Sequence, residues 1–65
     1  MKDFVIVQVC FDGTKEYVSS YEHNRWTLFA DRAQRFTEAE ANTVAGYVQN
    51  SRFFNKANPL SVVRV

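Results

Sequence analysis

The run Phe4-Val5-Ile6-Val7-Gln8-Val9-Cys10-Phe11 constrains the fold more than any other stretch of the chain. It is dense in β-branched and aromatic side chains, which lose rotamer freedom in a helix and pack well on a pleated surface. It is too short for a stable helix, and the Asp12-Gly13 pair behind it is a turn signal, so it reads as a strand. A strand with one wet face alternates apolar and polar residues; here only Gln8 interrupts. The run is therefore expected at the middle of a sheet, covered on both faces.

Asp12-Gly13 supplies the backbone freedom of a tight hairpin. Residues 15–21 are the return strand, on which Tyr17, Ser19 and Tyr21 share one face by alternation and Val18 and Ser20 the other. A two-residue Asp12-Gly13 loop sets Val7 opposite Val18, whereas a three-residue bulged loop sets Ile6 there. One residue of slip exchanges the faces. The two-residue loop is the expectation, with Val5, Val7, Val9 and Val18 turned towards a helix. Glu22-His23-Asn24 is a second turn, residues 25–29 a short third strand, and residues 30–36 a helical turn that points Ala33 and Phe36 inward.

Thr37-Glu38-Ala39-Glu40 fits a capping box, with Thr37 as N-cap and Glu40 at the third helical position. Phe36 and Ala41 are placed to form a hydrophobic staple across it. The helix is expected over residues 38–50, with Ala41, Val44, Ala45 and Val48 as one apolar stripe at i, i+3, i+4 and i+7. Pro59 and three asparagines mark residues 50–59 as a loop. Leu60-Ser61-Val62-Val63-Arg64-Val65 is a last strand, expected beside the first. The fold class is α+β: one domain over residues 1–65, with a three- or four-stranded mainly antiparallel sheet and one helix on one face, in the order β-β-(β)-α-β.

A chain of 65 residues lies near the lower size limit for independent folding, so a partner or a second copy would add stability. At 46% apolar residues the chain has the composition of a folded domain and not of a disordered tail. Eight basic residues against seven acidic ones leave no global charge to draw it to nucleic acid or a membrane surface. Cys10 is the single cysteine, so no internal disulfide forms, which favours a reducing compartment such as the cytoplasm. The start Met1-Lys2-Asp3-Phe4 does not read as a signal peptide, and the Phe4 to Phe11 run is too short to span a bilayer.

No constellation of catalysis, metal binding or cofactor binding is legible. His23 stands alone in a turn, Cys10 reads as a small buried apolar residue, and Asp12 and Glu40 are explained by turn and cap. Two glycines make no phosphate-cradling loop. No catalytic residue, cofactor or metal is expected. The aromatic residues beside basic ones stand out: Arg25-Trp26, Arg35-Phe36 and Arg52-Phe53-Phe54, with Lys56 near. Trp26 and Phe36 suit the core, but Phe53 and Phe54, adjacent in a polar loop, do not easily both point inward. Trp26, Arg52, Phe53, Phe54, Tyr17 and Tyr21 are the candidate contacts of a protein interface, where aromatics and arginine are enriched. Arg25, Arg32, Arg35 and Lys56 are the alternative contacts of a nucleic-acid surface, against which the near-zero net charge argues. A dimer burying the Tyr17/Tyr21 face is a third reading.

Taken together, Asp12-Gly13, Tyr17-Val18-Ser19-Ser20-Tyr21, Trp26-Thr27, Ala33-Gln34-Arg35-Phe36 and Thr37-Glu38-Ala39-Glu40-Ala41 resemble a pattern in small phage and prophage accessory proteins, mostly of unassigned function. The likeness covers most of the chain and departs from the pattern in the long loop from Arg52 to Pro59. It implies a phage product acting inside the host cell, as an inhibitor or modulator that binds a host protein, and it identifies no functional residue.

Overall fold

The computed structural model describes residues 1–65 apart from Phe53. Its elements run β1 (Phe4–Val9), β2 (Lys15–Ser20), β3 (Arg25–Thr27), a 3-10 turn (Ala30–Arg32), α1 (Glu38–Gln49) and β4 (Leu60–Arg64). The strands form one antiparallel sheet in the order β3-β2-β1-β4, which puts the Val-rich run at its centre. Val5, Ile6, Val7 and Gln8 are buried in succession, as a strand covered on both faces requires.

The hairpin takes the three-residue loop and not the two-residue one. Val7 faces Tyr17 and Val9 faces Lys15, so Phe11, Asp12 and Gly13 span the gap. Cys10 donates to the Thr14 carbonyl at 2.7 Å, and Gly13 donates back to Cys10 at 2.8 Å. Gly13 alone carries the positive φ, +88°. A two-residue type I′ turn would demand positive φ at Asp12 as well. Asp12 instead accepts a bond from the Thr14 N–H through its own carboxylate at 2.9 Å. The one-residue shift exchanges the faces: Ile6 and Val18 turn towards α1, while Val5 and Val7 turn away. The expectation that Val5, Val7 and Val9 face the helix is thereby corrected.

The ladder between β1 and β2 ends at Val7, and the chain behind the 3-10 turn enters the fork. The Gln34 N–H donates to the Val18 carbonyl at 2.8 Å, and Phe4 and Phe36 exchange two backbone bonds of 3.0 and 2.9 Å. These bonds pull residues 33–36 into extended structure, so the helical turn expected over 30–36 stops at Arg32. Ala33 and Phe36 are both buried, as their spacing suggests, but on an extended backbone.

The helix begins as the capping box predicts. The Thr37 hydroxyl accepts from the Glu40 N–H at 3.1 Å, and the Glu40 carboxylate accepts from the Thr37 N–H at 2.9 Å. Such a cap contributes about 1 kcal/mol. The helix lies over β1 and β4. Under it Ile6, Val18, Phe36 and Ala41 form the buried core, with Phe4, Tyr21, Trp26, Val44, Ala45, Leu60 and Val62 packed against them. Phe36 and Ala41, the two ends of the expected staple, thus share the core. Val5, Val7 and Ala33 are buried outside that cluster.

Residue 19 breaks the regularity of β2. Val18 pairs with Trp26 but Ser20 pairs with Arg25, so Ser19 is an extra, bulged residue. A bulge interrupts the alternation of faces. Tyr17, opposite Val7, lies on the face away from α1, while Tyr21 joins the core cluster beneath it. The shared Tyr17/Tyr21 face expected from simple alternation does not form. Cys10 also differs from expectation: it lies just past the end of β1, half-buried, and its thiol donates to Glu16 at 3.4 Å.

Candidate binding cleft

The bulge at Ser19 and the turn behind it bend the β2–β3 end of the sheet. In that turn Asn24 takes a left-handed φ of 53°, which asparagine tolerates better than most residues. The result is an open cleft of about 270 Å³ between the sheet, the end of α1 and the loop that follows the helix. Two ring pairs wall it. Tyr21 stacks on Tyr47 with centroids 6.5 Å apart, and Trp26 stacks on Phe54 at 6.1 Å. Both separations lie in the range of favourable offset stacking. Val18 and Val48 contribute apolar lining, and Ser20, Asn24 and Ser51 add hydrogen-bonding groups.

Arg25 stands at the rim. It is exposed, and among the described residues no carboxylate forms an ion pair with it. The cleft therefore combines an aromatic interior with one positive charge. A shallower depression of about 450 Å³ adjoins it across the Tyr21 ring, with Arg35, Glu22, Lys2 and Glu40 on its borders. Lys2 and Glu40 lie 3.7 Å apart there, in an exposed pair of little energetic weight.

Of the expected interface residues, the fold brings Trp26, Tyr21 and Phe54 together. Tyr17 lies on the opposite face, Arg52 is exposed on the loop beside the cleft, and Phe53 falls outside the described residues. The expected nucleic-acid contacts are dispersed. Arg25 lines the cleft, Arg35 borders the neighbouring depression, Arg32 sits 5.3 Å over the Phe29 ring, and Lys56 occupies a turn of the long loop. Tyr47 was not among the sequence candidates. The available signal was its place on the flank of the helical stripe, three residues after Val44.

A polar network closes the other end of the sheet. Gln8, with 7% of its surface exposed, donates to Glu16 at 3.1 Å and accepts from Asn58 at 2.9 Å. The Val9 N–H donates to the Pro59 carbonyl at 3.0 Å. The far end of the long loop is thus fixed to β1. Desolvation first, and the Glu16 carboxylate second, push the Cys10 thiol above its ordinary value. That disfavours the thiolate a nucleophile requires. His23 is exposed, with Nδ1 2.9 Å from the Ser20 hydroxyl. Among the described residues no three metal-ligating side chains converge, and no helix is long and apolar enough to cross a membrane. No protein family, curated protein or solved structure matches the chain.

Proposed function

We propose that this chain is a small protein-binding module that acts by surface binding and not by catalysis, with the cleft of Tyr21, Trp26, Tyr47 and Phe54 as its contact surface. The observation that carries the reading is the pairing of four rings around an open cleft with Arg25 at its rim. Rings of this kind present large area at low entropic cost, and arginine beside them suits a partner's carboxylate or carbonyl. The likeness to phage accessory proteins supports a host protein as the partner and inhibition or modulation as the outcome. The site of action under this reading is the host cytoplasm.

The test is affinity capture from bacterial lysate with the intact chain and with a Tyr47→Ser/Phe54→Ser variant whose circular dichroism shows a retained fold. A host protein captured at a stoichiometric ratio by the first and lost with the second supports the proposal. Equal capture by both, or none by either, contradicts it.

Single-stranded nucleic acid is the second reading, since a base could stack in the cleft with a phosphate against Arg25. It predicts a mobility shift at low salt that fades steeply as salt is added. The scatter of Arg32, Arg35 and Lys56 away from the cleft weighs against it.

A further inference from the structure

The two margins of a sheet are its only rows of unpaired backbone groups, and proteins commonly protect them with short strands, bulges, charges or covering segments. The β3 margin is protected in this way: it is three residues long and its partner strand is bulged. Among the described residues the β4 margin has no such device. All five residues from Leu60 to Arg64 pair regularly with β1. The single charge on the strand, Arg64, is already held by Asp3 of the same chain at 2.9 Å.

The ladder geometry shows which groups point outward. Pro59 and Val65 direct their backbone bonds towards β1, to Val9 at 3.0 Å and to Asp3 at 2.8 Å. In an antiparallel ladder the bonding direction alternates along the strand. Ser61 and Val63 therefore also bond inward, while Leu60, Val62 and Arg64 aim their N–H and C=O groups at the open side.

We propose that this edge pairs antiparallel with the β4 edge of a second copy, centred on Val62, joining two four-stranded sheets into one of eight. The register follows from the outward groups. Val62 meets Val62 of the second copy and Leu60 meets its Arg64, so the outward groups of all three residues on both copies are satisfied. Like charges do not meet, because each Arg64 lies beside a leucine. On the face away from α1, Val63 comes beside a serine and Val65 beside Pro59 of the other copy. These valines are 41% and 51% exposed in the single chain.

The helices fit the same symmetry. A two-fold axis through Val62 stands perpendicular to the sheet, so both copies of α1 lie on one face and run antiparallel. Each helix lies over β1 and β4. Strands spaced by about 4.8 Å then set the helix axes about 10 Å apart, at the upper end of the distance at which helices pack. Tyr47, Thr43 and Glu40 occupy the flank of α1 towards Tyr21. The opposite flank, which would meet its copy, carries Asn42, Ala45 and Gln49, with Glu38 as its one charge at the N-terminal end, where the antiparallel copy presents its Gln49 end. The cleft lies at the far side of the sheet and stays open in such a dimer.

Sedimentation and amide exchange of the intact chain test the proposal. The mass is expected to rise with concentration from 7.6 kDa to twice that value. Over the same range the amides of Leu60, Val62 and Arg64 should slow by about tenfold or more, while those of Ser61 and Val63 are slow throughout. Val63→Lys on one face and Asn42→Lys on the other each bring like charges across the axis and are expected to return the folded chain to a monomer. A chain that stays monomeric at roughly millimolar concentration, far above the affinity range of specific dimers, overturns the proposal even if another protein's strand takes the edge. So does a dimer in which those three amides still exchange freely, or one that survives both substitutions.

Discussion

The β3 margin and the β4 margin belong to one sheet under one helix, yet they offer a partner different things. At β3 the strand is three residues long, the neighbouring strand is bulged at Ser19, and four aromatic rings fold over the gap. At β4 the ladder is regular for five residues and presents a row of outward-pointing backbone groups. Irregularity in a strand turns side chains towards solvent and makes a shaped surface, whereas regularity leaves a hydrogen-bond template. The first suits recognition of a particular partner. The second suits a strand of any sequence that matches its register, a second copy included.

Both margins depend on the core between them, so the largest effect should come from breaking that core. Ile6 is fully buried at the centre of the sheet. Ile6→Ala is expected to cost about 2–5 kcal/mol, a large share of the stability of so small a domain. Denaturant unfolding should show cleft and edge lost together in one transition. Retention of either after loss of the other would mean the margins are separate units.

A smaller effect separates them. Gln8 and Asn58 tie the loop that delivers Phe54 to Trp26 at one end and Pro59 to β4 at the other. Gln8→Ala removes both bonds of a buried side chain and is expected to cost about 1–3 kcal/mol. Exchange at the Val9 amide should quicken most, and the emission of Trp26 should change less. The reverse order would place the anchor of the loop at its Phe54 end.

Removing the helix cap acts on neither margin directly. Thr37→Ala should cost about 1 kcal/mol and leave the ring pairs in place, as near-ultraviolet circular dichroism can show. The smallest effect is on acidification. Arg64 holds Asp3, the Thr14 N–H holds Asp12, and the Thr37 N–H holds Glu40 below their ordinary carboxylate values. A carboxyl whose native value is depressed stabilises the fold above its unfolded value and stops doing so as pH falls through the native one. Stability should be level at neutral pH, begin to fall near the ordinary values of 3.8 and 4.5, and be lower by a small amount once all three are protonated. Asp12 and Glu40 are exposed and Asp3 is half-buried beside an exposed Arg64, so added salt should flatten the slope from Asp3, whose partner is a charge, more than that from Asp12.

Much of this fold was legible in the chain because its local signals agree with its packing. The Val-rich run, the capping box and the closing strand each lead to the observed element. The hairpin register was not, because Asp-Gly serves both loop lengths and only the φ values of Asp12 and Gly13 decide between them. Nor was the bulge: Tyr17, Ser19 and Tyr21 read as one face, and nothing in Ser19-Ser20 marks the extra residue. That bulge separates Tyr21 from Tyr17, so the candidate cleft was legible in part, with Trp26, Tyr21 and Phe54 among the sequence candidates but Tyr21 assigned to the wrong face. Tyr47 was missed because a tyrosine on the flank of a helical stripe looks like any exposed helical residue until its ring partner is known.

Trp26 is the single tryptophan of the chain, and its indole forms one wall of the cleft. Its ¹⁵N-labelled side-chain N–H, observed while a protein recovered in the proposed capture experiment is added to a stoichiometric ratio, reads occupancy of the cleft without interference from the partner. The account predicts that this resonance shifts or broadens together with the backbone amides of Tyr21, Arg25 and Tyr47. An indole signal that stays in place while resonances elsewhere on the chain move would contradict it.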